Sequence, residues 1–508
     1  MTFHRRRPAL RRQRVAGVLL LMLAAAGCGS TVQQRSVISG TGNGSLASIG
    51  LGSSAGGPSA DASGGSAGGL PGGASSARAA GTSGSSPSAT SPGNAAGQAS
   101  TSSASTSSAS VGQLPGKGKG VTGTTLKLGF LYLGGAGATV AATGVKGYTQ
   151  GDEVGEMQAL VADQNARGGL AGRKIVLVPH DVGGSDVSSY QAACTYFTQD
   201  VPVFMVTSAL SHIDVLSACL AKAGVGYTAD YIAPSDRQLR GYGPIYAPDD
   251  IAAERYALLL GRSLVNSNLL KAGDKVAIVR QDTPDWARVT KDILRPTLEQ
   301  AGVKVVDEES YNITDSSGST GVASAVFRMR SAGADHVINY ESPLLYMTAA
   351  QSQGWYPFWT VTSRASASFL EMSAPKSELT NSGGPGWMPV SDIDTARLNT
   401  FVSPEEKRCI TSQARHGFVY RGAPRLVQEM LCGELFHIVR VVNHATELST
   451  AGFRSSAESL PAYPPTLDFR TSFDGGRHDG AAAYRILRYQ TSCSCYNYTG
   501  PLFPTPNS

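Results

Sequence analysis

Charge is scarce in this chain and unevenly placed. Only 16% of the 508 residues are Asp, Glu, Lys or Arg. Six positive charges lie within the first fourteen residues, on Arg5, Arg6, Arg7, Arg11, Arg12 and Arg14, so the formal +5 leaves 5 − 6 = −1 for the rest. A body without a basic excess gains nothing from counterion release, which excludes nucleic acid as a partner. Aromatic residues are also few, at 7%, and none occurs from Gly29 to Gly120. After Val15–Ala26 no apolar run approaches the roughly 20 residues that a membrane-spanning helix takes.

Organised chemistry is missing too. The histidines show no i, i+4 arrangement with Glu of the zinc-protease kind, so no metal site is expected. Gly118-Lys-Gly120-Val-Thr-Gly123 precedes a strand where a dinucleotide fingerprint must follow one, and after Gly135-Ala-Gly137 the third glycine is replaced by Val140. No cofactor is expected. Gly64-Gly-Ser66-Ala-Gly68 has the letters of a nucleophile elbow but lies in low-complexity chain that cannot build a strained turn. His180-Asp181, at a strand end, reads either as half of a proton-transfer pair or as a loop contact. With no nucleophile, base and orienting group assembled, the chain does not read as an enzyme; a surface hydrolase is the weakest alternative.

What is present begins with an address. Six arginines followed by the twelve-residue apolar run Val15–Ala26 read as an export signal, residues 1–27, too short to be a permanent span. The ending Leu23-Ala-Ala-Ala-Gly-Cys28 resembles the lipobox of bacterial lipoproteins, with Ala25 a departure from the usual Leu. The resemblance implies lipidation of Cys28 and a moored, extracytoplasmic protein, each buried methylene contributing about 0.8 kcal/mol. In residues 28–120, from Gly29 on, roughly three quarters of the side chains are Gly, Ser, Ala or Thr. Such chain buries too little to offset its ordering entropy, so a flexible tether with a reach on the order of 50 Å is expected.

From Thr124 onward strand-like and helix-like segments alternate. Thr125–Tyr132, Lys174–Pro179 and Val203–Val206 read as strands, with helices over Asp152–Arg167, Ser185–Gln199 and Ser211–Lys222. The alternation restarts with strands at Lys275–Val279, Lys304–Val306, His336–Asn339 and Phe358–Val361, and helices over 249–260, 284–301, 321–332 and 342–353. Two α/β lobes, each a doubly wound parallel sheet, are the simplest partition. Ligands of such sheets sit off the carboxyl ends of the strands, so facing lobes imply a cleft. Among the seven cysteines, Cys194 with Cys219 and Cys409 with Cys432 are spaced for bridges between neighbouring helices, or stand as buried thiols. If bridged, each loop contributes roughly 3 kcal/mol in the chain-entropy model. Cys493-Ser-Cys495 would close a very short ring, and by itself supplies only two of the four ligands of a zinc site.

A family resemblance rests on particular stretches. Leu126-Lys-Leu-Gly-Phe-Leu-Tyr132, Ala162-Asp-Gln-Asn-Ala-Arg-Gly-Gly-Leu-Ala-Gly-Arg-Lys-Ile175 and Val178-Pro-His-Asp181 are similar to the start of type I periplasmic binding proteins of the Leu/Ile/Val-binding class. Ala332-Gly-Ala-Asp335-His-Val-Ile-Asn339, Gly354-Trp355 and a C-terminal hairpin at Phe473–Gly480 leading into Tyr484–Tyr489 continue it. The resemblance implies two lobes, 121–246 plus 390–464 and 247–389 plus 465–508, joined by a three-crossover hinge near 246–248, 386–390 and 463–466. It further implies a solute-binding protein, monomeric, that closes on a small polar organic molecule and delivers it to an ABC-transporter permease. A sensor of the same fold is the alternative.

Carried over by position, the loop Thr207-Ser208-Ala209-Leu210 resembles the segment that binds the ligand carboxylate, where hydroxyls and free amides meet a helix start. In the next strand-end loop, Thr228-Ala-Asp230-Tyr231-Ile232, Ile232 stands where a ligand-binding Thr is expected. Arg364 falls where amino-acid binders place an acidic group, which favours an anionic ligand if the side chain points inward. Tyr148, Trp286 and Tyr340 are candidate aromatic walls of the cleft mouth.

Overall fold

The expected alternation is present in the computed structural model, which describes residues 114–507 except 117, 136–149, 184–185, 212, 232, 312–317, 395–396, 398–402 and 422. The signal segment, Cys28, the chain up to residue 113 and Tyr148 lie outside the described residues, as do the side chains of Ala209, Leu210, Asp230 and Tyr231. Strands β1 (Thr125–Tyr132), β2 (Lys174–Asp181), β3 (Met205–Ser211), β4 (Gly226–Tyr231) and β5 (Ile245–Tyr246) form an all-parallel sheet in the order β2-β1-β3-β4-β5. Apolar side chains of its strands are buried on both faces. Leu126, Leu128 and Phe130 pack to one side, where the helices Glu153–Ala166 and Ala423–His444 lie. Leu131, Val206 and Tyr227 pack to the other with Tyr190, Phe197, Leu216 and Leu220. Gly129 in mid-strand permits this close approach, since a Cβ there would stand 2.9 Å from the Phe197 ring.

A second sheet follows the order β12-β11-β10-β9-β8-β6-β7. β6 (Lys275–Gln281), β7 (Lys304–Tyr311), β8 (His336–Asn339), β9 (Phe358–Thr360) and β10 (Ser382–Gly386) run parallel. β11 (Ala483–Gln490) and β12 (Cys495–Pro504) add an antiparallel hairpin at one edge. The turn of this β11–β12 hairpin lies at residues 491–494. The expected hairpin at Phe473–Gly480 is present as a second, shorter one: the chain turns at 474–476, Thr471 and Ala481 bridge antiparallel, Ser472 N–H donates to Gly480 O at 2.8 Å, and Gly480 N–H ties the stretch to Ala247 O at 2.8 Å. The helix expected over 284–301 is interrupted: Arg295 N–H reaches back five residues to Thr290 O, widening one turn. Pro296 follows directly and has no N–H for the Asp292 carbonyl, so regular α spacing cannot continue through it.

The chain passes between the sheets in three places, and the passages hold one another. Ala247 N–H donates to His478 O at 2.8 Å, Trp387 Nε1–H to Asp249 O at 3.2 Å, and Phe469 N–H to Trp387 O at 3.2 Å. Helices Pro404–Arg415 and Ala423–His444, late in the sequence, pack back against the first sheet's side. Cys194 is bridged to Cys219 and Cys409 to Cys432, each pair joining two helices, with Cα separations of 6.3 and 5.7 Å. Cys493 and Cys495 are bridged as well, across the β11–β12 turn. No helix among the described residues is long and apolar enough to cross a membrane.

Candidate functional site

Parallel strands bring their carboxyl ends to one rim, and the side chains just beyond them are the natural place to look for chemistry. On the second sheet these are Gln281, Asn339 to Glu341, and Thr362 to Arg364. Glu341 is buried two residues past β8; its carboxylate accepts from Gln281 Nε2 and from Tyr311 O–H, the latter at 3.0 Å, while its own N–H donates to Asn339 Oδ1 at 2.9 Å. Burial pushes its carboxyl up to about 7, against the opposing pull of the Arg364 charge and of the Tyr311 and Gln281 bonds. Beside it Tyr256 O–H reaches Tyr340 O at 2.8 Å and Thr362 Oγ1 at 2.9 Å.

Arg364 occupies a single tight turn, Ser363–Ala365, after β9 and is fully buried. Its guanidinium donates to Asp250 Oδ2 at 2.9 Å and to Ile251 O at 2.6 Å, and lies over the Tyr256 ring at 4.2 Å. Asp250 also accepts from Ala233 N–H at 2.6 Å, so one carboxylate links the first crossover to both strand-end loops. Arg364 does point inward, and the anion it meets in the structure is Asp250. Trp286 and Tyr340 are buried as well. Their rings, 5.0 Å apart, pack with Tyr256 in the interior, and Tyr340 O–H is bonded to Thr290 Oγ1 at 2.8 Å.

On the first sheet, the stretch expected as a loop at Thr207–Leu210 is strand: β3 continues to Ser211, and the following helix starts at Asp214. Thr207 Oγ1 donates to buried Glu434 at 3.0 Å and accepts from Thr228 Oγ1 at 3.2 Å; Ser208 is buried beside the Tyr227 phenol. Thr207 thus ties β3 to the helix Ala423–His444, and Thr228 joins it from β4. The rim of β1 and β2 is acidic. Asp181 Oδ1 accepts from Gly134 N–H and Gly183 N–H, both at 2.9 Å, which settles His180-Asp181 as a loop contact. His180 itself stacks on Tyr196 at 4.4 Å. Glu153, held by Gln150 Nε2 at 3.0 Å, is pushed up to about 7 by burial.

The two rims meet. Ser235 Oγ donates to Asp285 Oδ2 at 2.7 Å and Arg237 pairs with the same carboxylate at 3.1 Å, across a cavity of about 170 Å³ lined by Ser235, Gln238, Thr283, Asp285 and the edge of Trp286. Trp286 thus does border a cavity between the sheets, while remaining buried. The sequence reading did not single out Asp250, Asp285 or Glu341; their shared signal is an acid just beyond a parallel strand. Among the described residues one acid–imidazole group, Asp274, Asp335 and His336, gathers at the opposite ends of β6 and β8. Backbone amides already occupy its carboxylates: Lys271 N–H on Asp274 at 2.7 Å and Lys275 N–H on Asp335 at 2.9 Å.

Comparison with known proteins agrees with this fold. The profile of the family described as periplasmic binding protein matches residues 136–494. A Leu/Ile/Val-binding protein homolog of Brucella suis is 27% identical over 218 residues, 41% of this chain; the match spans 53%, about half, of that relative's length. Among solved structures, a fatty acid ABC transporter substrate-binding protein from Thermomonospora curvata has a TM-score of 0.57 at 16% identity, covering 77% of this chain and 95% of its own. The branched-chain amino acid transporter substrate binding protein LivJ of Streptococcus pneumoniae, in complex with isoleucine, has a TM-score of 0.54 at 15% identity, covering 75% and 100%.

Proposed function

Since the chain belongs to the periplasmic binding protein family, we propose that it is an extracytoplasmic solute-binding protein that captures a small polar organic molecule between its two lobes for an ABC importer. The lobes are taken as 121–246 plus 390–464 and 247–389 plus 465–508. The observation that carries the reading is the meeting of two sets of strand carboxyl ends across a cavity, with three mutually bonded crossovers behind them as a hinge. Residues 1–27 act as export signal, Cys28 as lipid anchor, and 28–120 as the tether that sets the body off the membrane.

The ligand's polar end faces acids. Arg364 is already paired with Asp250, and Glu341, Glu153 and Asp181 border the rims. An amine, amide or hydroxyl group that donates to these carboxyls is favoured over a bare carboxylate. The backbone amides ending β3 and β4 remain candidates for an acceptor group on the same molecule. Thermal-shift screening of the full chain against amino acids, amides, hydroxy acids and plain carboxylates tests this. A ligand at 100 times its dissociation constant stabilises by about 2.7 kcal/mol, and hits are expected among donors. Hits confined to plain carboxylates would contradict the acid-rim reading; turnover of a hit would contradict the binding role.

A further inference from the structure

We propose that Cys493 and Cys495 form a thiol–disulfide exchange site at the β11–β12 turn, whose substrate is an exposed dithiol of a protein or peptide. The proposal is independent of what the cleft binds. The chain carries its own contrast: the other two bridges span 25 and 23 residues, join packed helices, and keep Cys194, Cys409 and Cys432 fully buried. The third spans a separation of two, within a surface turn. A link across one residue removes little freedom from the unfolded chain, so stabilisation does not account for it. Closing it also holds Ser494 at φ +52°, a left-handed conformation unfavourable for a residue with a Cβ. A bridge that is exposed and offers little stability belongs to the labile, exchangeable kind.

The surroundings suit exchange. Cys493 is exposed and Cys495 buried, so an incoming thiolate meets Cys493 first. Asn497 Nδ2 lies 3.4 Å from Cys495 Sγ and 3.7 Å from Cys493 Sγ, and Arg397 Nη1 lies 4.0 Å from Cys493 Sγ. The Arg397 guanidinium is fixed by Tyr496 O at 3.1 Å and by Glu371. A donor and a cation beside sulfur favour the thiolate, the form that attacks and leaves. In the first step a substrate thiolate bonds to Cys493 Sγ, the Cys493–Cys495 bond breaks, and Cys495 leaves as a thiolate next to Asn497. In the second step the substrate's other thiolate attacks its own sulfur in the mixed disulfide and Cys493 leaves. Two substrate thiols become one disulfide, the protein's disulfide becomes two thiols, and the two protons released by the substrate return to the two cysteines.

The test incubates the oxidised full-length protein with a reduced two-cysteine peptide, then alkylates and identifies each cysteine by mass spectrometry. Cys493 and Cys495 are expected to be reduced on the order of 100-fold faster than the four cysteines of the other two bridges, with one peptide disulfide formed per pair reduced. Asn497→Ala and Arg397→Gln are each expected to slow transfer about tenfold with unchanged circular dichroism. Should Arg397→Gln unfold the turn by releasing Glu371, Asn497→Ala decides alone. Equal reduction of all three bridges, loss of the bridge without peptide disulfide, or a rate indifferent to Asn497 would overturn the proposal.

Discussion

Arg364 shows how one side chain changes meaning between sequence and structure. Its position in the chain marks a residue just beyond a strand, and that much was legible. Its partner was not, because Asp250 lies 114 residues earlier and meets it only once the first crossover is in place. Removing one member of a fully buried ion pair leaves the other charged and desolvated. Arg364→Ala is therefore expected to lower stability by about 3–5 kcal/mol, measured by urea unfolding; a change below about 1 kcal/mol would return Arg364 to the ligand. Glu341 gives a second prediction. Its folded value of about 7 stands above the ordinary 4.5, so the native state holds its proton through a range where the unfolded chain has lost it. Its contribution to stability is thus largest below pH 4.5 and declines as pH rises towards 7. Relative to Glu341→Gln, the wild type is expected to lose on the order of 3 kcal/mol between pH 4.5 and 8. Parallel stability curves for the two proteins would contradict this.

At the scale of elements, the strands of the interior were readable and their ends were not. β1 and β8 match their apolar runs residue for residue, since buried parallel strands declare themselves by continuous apolar composition. β3 runs past Val206 through two hydroxyl residues because Glu434, from a helix more than 200 residues later, accepts from Thr207. No local pattern carries that information, which is why Thr207 and Ser208 read as a binding loop. Glycines at 475 and 476 signal a turn that the chain does make, whereas the longer strand pairing around Cys493-Ser-Cys495 carries no such signal. The two long bridges were foreseeable from helical placement of their cysteines. Replacing both Cys194 and Cys219 by Ala is expected to cost roughly 3 kcal/mol in denaturant unfolding, through greater freedom of the unfolded chain. A cost near zero would mean that helix packing alone fixes this corner of the first lobe.

For the molecule as a whole, two sheets were predictable from the restart of alternation near residue 249, while the return of late helices to the first sheet came only through family resemblance. Alternation says nothing of which sheet a helix joins when no strand follows it. For the proposed capture, the three crossings that bond to one another are where closure of the lobes is expected to turn. Capture between the sheets is the claim on which the transport reading stands. Hydrogen exchange on the full-length protein, with and without a stabilising solute from the thermal screen, tests it most directly. The account predicts simultaneous slowing at residues 207–211 and 228–238 of one lobe and at 281–286, 339–342 and 360–365 of the other. Slowing confined to a single sheet, or to the surface away from both rims, would contradict it.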